Sequence, residues 1–131
     1  MKGELAPLVL AARFTSFLGP GVHTTAPLDV SGYDRAVFEF WRGNLAGASA
    51  SFKAFFEQAE TPGPDPASWN SDPLNPWSNL VTPLTTVNTS VLVTLTLTQR
   101  YLRMRIGLNG DEAAITLFAV GSLRKRIPLV G

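Results

Sequence analysis

Apolar and polar residues alternate without a break from position 101 to position 108. Leu102, Met104, Ile106 and Leu108 fall on one side, and Tyr101, Arg103, Arg105 and Gly107 on the other. A repeat of two belongs to an extended strand, in which successive side chains point to opposite faces, so this segment predicts one face in a core and the other toward solvent or a partner. Residues 91–98 repeat the pattern, with Val91, Val93, Leu95 and Leu97 opposed to Leu92, Thr94, Thr96 and Thr98. The threonines suit a pleated exposed face. Residues 113–124 set Ile115, Leu117, Ala119 and Leu123 against a face that also holds Phe118 and Val120, as expected of a central or covered strand. Two earlier segments, 36–41 with Phe38 and Phe40 and 51–58 with Phe52, Ala54 and Phe56, alternate in the same way. The alanines leave a helix over 46–59 open as an alternative.

Turn chemistry then predicts how these strands connect. Asn109-Gly110-Asp111 stands between two alternating runs, and Asn-Gly supplies the positive φ angles of a tight hairpin, so 101–108 is expected to pair with 113–124. The small residues at 44–49 are expected to join 36–41 to 51–58 as a second antiparallel pair. Residues 61–76 hold five of the ten prolines, which lack a backbone donor and cannot join a sheet interior. They predict a long loop carrying Trp69, with Trp77 at its edge; these rings either close an open end of the core or bind a partner. About seven or eight short strands with turn signals and little helical periodicity give an all-β fold, an antiparallel two-sheet β-sandwich of jelly-roll type.

At 131 residues the chain is expected to form one domain able to bury a core without metal or disulfide support. Residues 21–126 form the sandwich, with 61–76 as an inserted loop. Residues 1–20 are an N-terminal arm or the first strand, and 127–131 a tail. No run reaches the ~18 to 20 apolar residues of a membrane-spanning helix, and no signal peptide is read at the N-terminus. The formal net charge is +1, too small to steer the chain onto nucleic acid or membrane. The distribution is uneven: from position 100 onward six basic residues face two acidic ones, whereas positions 1–99 carry five basic and eight acidic. Opposite poles of this kind can orient neighbouring copies.

Zero cysteines exclude thiol nucleophiles and thiolate metal sites, and the single histidine, His23, lies in a loop segment where a catalytic base is rarely found. No Gly-x-Ser-x-Gly elbow, phosphate loop, dinucleotide fingerprint or calcium loop is present. Five of the ten acids (Asp29, Asp34, Asp65, Asp72 and Asp111) stand in turn segments, where aspartate bonds its own backbone. The expectation is a protein without catalytic activity and without a cofactor or metal.

The order of Leu28-Asp-Val-Ser-Gly-Tyr-Asp34, a strand, 52–58, Trp77-Ser-Asn-Leu80, 85–97 and Arg100-Tyr-Leu-Arg-Met-Arg-Ile106 resembles small β-sandwich virion proteins of tailed bacteriophages. The likeness covers about residues 24–124. It implies a capsid decoration (cement) protein, made in the host cytoplasm and carried on the capsid surface. Its implied partners are the major capsid protein and copies of itself, with a homotrimer as the expected oligomer. A phage tail or adaptor component is an alternative, as is a carbohydrate-binding module that stacks glycans on Trp41, Trp69 or Trp77. The expected partner-binding residues are Leu8, Leu10, Phe14 and Phe17 in the apolar N-terminal stretch, Trp69 and Trp77 at the proline-rich loop, Arg103 and Arg105 on the outward face of their strand, and Leu129 in the tail.

Overall fold

The computed structural model describes residues 5–61 and 77–125; Trp69, Leu129, most of the proline-rich loop and the 127–131 tail lie outside the described residues. The described chain is all-β: β1 (Leu5–Leu18), β2 (Gly21–Thr24), β3 (Leu28–Asp29), β4 (Arg35–Ala59), β5 (Ser78–Asn79), β6 (Thr89–Thr96) and β7 (Tyr101–Arg124). All seven join one antiparallel sheet, not two separate ones. Its spine is the pair of long strands β4 and β7, which run antiparallel from Arg35↔Arg124 to Ala59↔Tyr101.

Both expected hairpins are therefore corrected. Residues 101–108 and 113–124 are two halves of β7, and 36–41 and 51–58 are two halves of β4. Each half pairs with the other strand and not with its own continuation: Leu108 lies opposite Phe52, and Phe38 opposite Gly121. The residues that signalled reversals instead form bulges. The β4–β7 register shifts three times between Arg42 and Ser51. Positive φ angles occur there at Gly47 (115°) and Ser49 (53°), and opposite them at Gly110 (107°) and Glu112 (56°). An extra residue in a ladder increases twist and bends the strand. The two bends also nest together, since a Cβ on Gly110 would stand 2.8 Å from the Ala50 Cα. The helical alternative for 46–59 is likewise overturned, because this stretch is continuous strand.

The bend folds the sheet over its own inner face. Phe38 and Phe56 would lie about 60 Å apart along a straight strand. Their ring centroids are in fact 5.0 Å apart, and those of Phe40 and Phe56 5.2 Å. In one half of the sheet β6, β4 (35–42), β7 (117–124) and β1 lie side by side. In the other, β2 and β3 flank β7 (101–109), and β4 (51–59) pairs with β5. Between the halves the inward residues Phe38, Phe52, Leu95, Leu102, Met104, Ile106, Leu108 and Leu117 are buried, each contributing roughly 1.5–3 kcal/mol on removal from water.

The segments 28–34 and 100–106 meet in this fold. Leu28 pairs with Leu102 and Asp29 with Tyr101. The Asp29 carboxylate accepts hydrogen bonds from the Ser31 hydroxyl at 2.7 Å and the Ser31 backbone N–H at 3.0 Å, and pairs with Arg100 at 3.0 Å. These bonds, Ser31's first and Arg100's after, lower its pKa from 3.8 to about 2. A carboxyl depressed on folding adds stability that is complete above its unfolded pKa and is lost as pH falls through the folded value. Asp29→Asn is therefore expected to lower the thermal midpoint near neutrality and to flatten its profile between about pH 4 and about pH 2, the two proteins converging at the acid end. An identical acid limb in the variant would assign that stability elsewhere.

Candidate interaction surface

The outward face of the half-sheet β6–β4–β7–β1 follows from register. Leu92, Glu39, Val120 and Val9 make one row across the four strands, and Ser90, Trp41 and Phe118 begin the next. Where β1 would continue this second row, its register shifts between Ala11 and Thr15. Phe14 in that irregularity takes a φ of 62° and is 67% exposed. A bulky side chain in the left-handed region costs of order 1–3 kcal/mol, and such strain gathers at functional positions. Here the strain places the Phe14 ring edge-on to Trp41 at 5.8 Å and to Phe118 at 6.3 Å, while Trp41 and Phe118 stack at 5.5 Å. The Arg13 guanidinium lies 4.6 Å from the Phe118 ring centroid. With exposed Val9 and Leu92, this makes an apolar face in which Phe118 is itself buried against Phe14, Trp41 and Arg13; the same face carries Glu39 and, farther along the strands, Arg35 opposite Arg124. Aromatic rings with apolar bodies and an adjacent guanidinium are the side chains that anchor protein–protein contacts.

The opposite end of the molecule is built on charge. Glu57 stands directly across from Arg103 on the outer side of the other half-sheet. Its Oε1 accepts from Arg103 Nε at 2.9 Å, and its Oε2 from Arg105 Nε at 3.1 Å. Trp77 lies over the Arg103 guanidinium at 3.8 Å, and Phe55 beneath that of Arg105 at 3.8 Å. Arg103 and Glu57 are buried although they sit on the polar side of the alternation. Burial pushes the Arg103 pKa down to about 10, against the opposing pull of Glu57.

Of the expected partner-binding residues that are described, Phe14 alone reaches the surface freely. Leu8 and Leu10 are in the core, because β1 is a strand of the chain's own sheet. Phe17 is half-buried against the His23 ring at 5.7 Å. Trp77, buried over Arg103, and Arg103 itself present no surface to a partner in this fold, and Arg105 is largely covered. Of the two described candidate sugar platforms, Trp41 has one ring face on Phe118 and Trp77 has one on Arg103. His23 Nε2 donates to the Gly19 carbonyl at 2.9 Å, a turn-closing bond. Among the described residues no group of three or more His, Asp or Glu side chains could hold a metal ion.

Sequence reasoning missed Arg13, Phe118 and Glu57. The apolar outward positions of 113–124 were a signal for Phe118, whereas Glu57 had none, since its pairing with Arg103 depends on the β4–β7 register. No protein-family model matches the chain, and no curated protein sequence matches it.

Proposed function

We propose that the chain is a noncatalytic structural protein of a virion, a capsid decoration protein that attaches to the outer shell through the apolar face from which Phe14 projects. The observation that carries this reading is Phe14, a large apolar side chain held outward at strained φ against Trp41 and Phe118. The resemblance of residues 24–124 to tailed-phage virion proteins supports it. So does the use of the resembling segments, Asp29 with Arg100 and Glu57 with Arg103 and Arg105, in holding the fold together. In this reading the folded-over sheet serves as a rigid two-layered sandwich of jelly-roll type. A shell offers many equivalent sites, so modest contacts per copy suffice for tight retention of a multivalent protein.

The test is co-sedimentation with capsids purified from a phage that lacks the gene for this chain. The wild-type protein is expected to pellet at a fixed ratio to the shell protein. Phe14→Asn is expected to weaken that binding about tenfold or more, the scale of losing an interfacial anchor. Asparagine tolerates the left-handed backbone, so the thermal midpoint should stay within a few degrees of wild type. Wild-type protein left in the supernatant, or a variant that binds as well, would count against the proposal.

A further inference from the structure

The half-sheet that carries the aromatic face has two edges, and they are built differently. Its β1 edge is interrupted: it contains Pro7, the cation Arg13, two register shifts and the outlying Phe14. Prolines, charges and bulges are the devices by which sheets prevent further strand pairing. The β6 edge carries none of them. Thr89–Thr96 reads Thr-Ser-Val-Leu-Val-Thr-Leu-Thr, without charge, proline or glycine, and its eight pairs with β4 run from Arg35↔Thr96 to Arg42↔Thr89 with no register shift. Among the described residues β6 pairs with β4 alone.

Two further features mark this edge. Leu92, at its centre, is 70% exposed, and Val91, on the core-facing side opposite Phe40, is 39% exposed. Beside them runs a groove of about 370 Å³ lined by Val81, Leu84 and Val91 among others. An uncharged, straight, eight-residue edge with unfilled apolar space along it is a template for another strand.

We infer that β6 pairs antiparallel with β6 of a second copy about a two-fold axis, making one continuous eight-stranded sheet of β1-β7-β4-β6 and its symmetry mate. The segment complements itself. With Leu92 on the axis, the two exposed leucines meet on the outer face and Ser90 lies opposite the other copy's Thr94. On the inner face Val91 lies opposite the other copy's Val93, which covers the exposed valine. Like faces thus meet, and no charge is brought to the seam. The contact is isologous and closes as a dimer, so it replaces the cyclic trimer expected from the resemblance. The seam shares Leu92 with the outward apolar face, whereas Phe14 is on the opposite edge, so Phe14→Asn should leave the dimer intact.

The chain contains no cysteine, so a single introduced thiol reports the register without background. Opposed residues of an antiparallel pair have Cα atoms about 4.5–5.5 Å apart, within disulfide range. Mild oxidation of Leu92→Cys is expected to give a covalent dimer in high yield. Ser90→Cys alone should form no covalent dimer, and Ser90→Cys with Thr94→Cys in the same chain should cross-link. Leu18→Cys, at a position 71% exposed and away from β6, controls for random collision. In sedimentation at about 100 µM, on the scale of a small, weak interface, wild type should be mainly dimeric and Leu92→Lys monomeric with an unchanged thermal midpoint. A monomeric wild-type chain, a dimer indifferent to Leu92→Lys, or equal cross-linking of the Leu92 and Leu18 variants would each overturn the pairing.

Discussion

Gly121→Ala is expected to lower stability by about 3 kcal/mol or more, at the upper end for an overpacked site, and to drop the thermal midpoint by roughly 10 °C or more. Gly121 occupies the middle of β7, opposite Phe38 of β4 on one side and Leu8 of β1 on the other. A Cβ at this position would lie 2.1 Å from the Val37 carbonyl oxygen, 2.4 Å from the Phe38 Cα and 2.6 Å from the Phe38 Cβ. Two of these are backbone atoms of the neighbouring strand, which cannot swing aside as a flexible side chain would. The alanine must displace β4 where Phe38 packs on Phe56, and close-packed interiors transmit such displacement. Gly107→Ala, on the same strand, is the control. Its nearest neighbour would be the Lys53 Cβ at 3.9 Å, an ordinary contact, and the change should stay within about 0.5 kcal/mol. Equal denaturation midpoints for the two variants would show that β4 and β7 do not approach so closely at Gly121.

Glu57→Ala should cost about 3–5 kcal/mol, the scale for removing one partner from a buried ion pair. The carboxylate serves two guanidiniums, with Arg103 completely buried beneath Trp77 and Arg105 against Phe55. Truncation leaves both cations in a site that already disfavours charge, as the lowered Arg103 pKa indicates. Exchanging Glu57 and Arg103 together for methionine should recover much of the loss, because the burial penalty of the pair disappears along with its attraction. Urea titrations of wild type, the single variant and the double variant measure both quantities. A single variant within about 1 kcal/mol of wild type would place the cluster with ordinary surface pairs.

These two sites show where local pattern stops being informative. Alternation at 101–108 identified Leu102, Met104, Ile106 and Leu108 as core, and all four are buried. Arg103, on the polar side of the same alternation, is buried as well, because Trp77 and Glu57 arrive from segments that no local rule connects to it. Phe14 could be read from sequence as an exposed apolar residue in an apolar stretch, but its partners Trp41 and Phe118 could not. They meet it only across β4 and β7 in the observed register. In sequence Leu8 and Leu10 suit a free arm or a first strand, and the structure makes them a first strand; nothing local shows that β7 has an edge for β1 to occupy.

Local sequence thus determined strand character, which side of each segment is apolar, and, at Asn109-Gly110, one place where the backbone needs positive φ. Those properties arise from side chains a few positions apart. Whether Asn109-Gly110 and the small residues at 44–49 reverse the chain or merely bend it was decided by tertiary structure. The same dihedral angles suit a hairpin or a bulge, and the outcome depends on which distant strand supplies the hydrogen-bond partners. Here β4 and β7 satisfy each other along their full length, so two expected hairpins became one folded-over ladder.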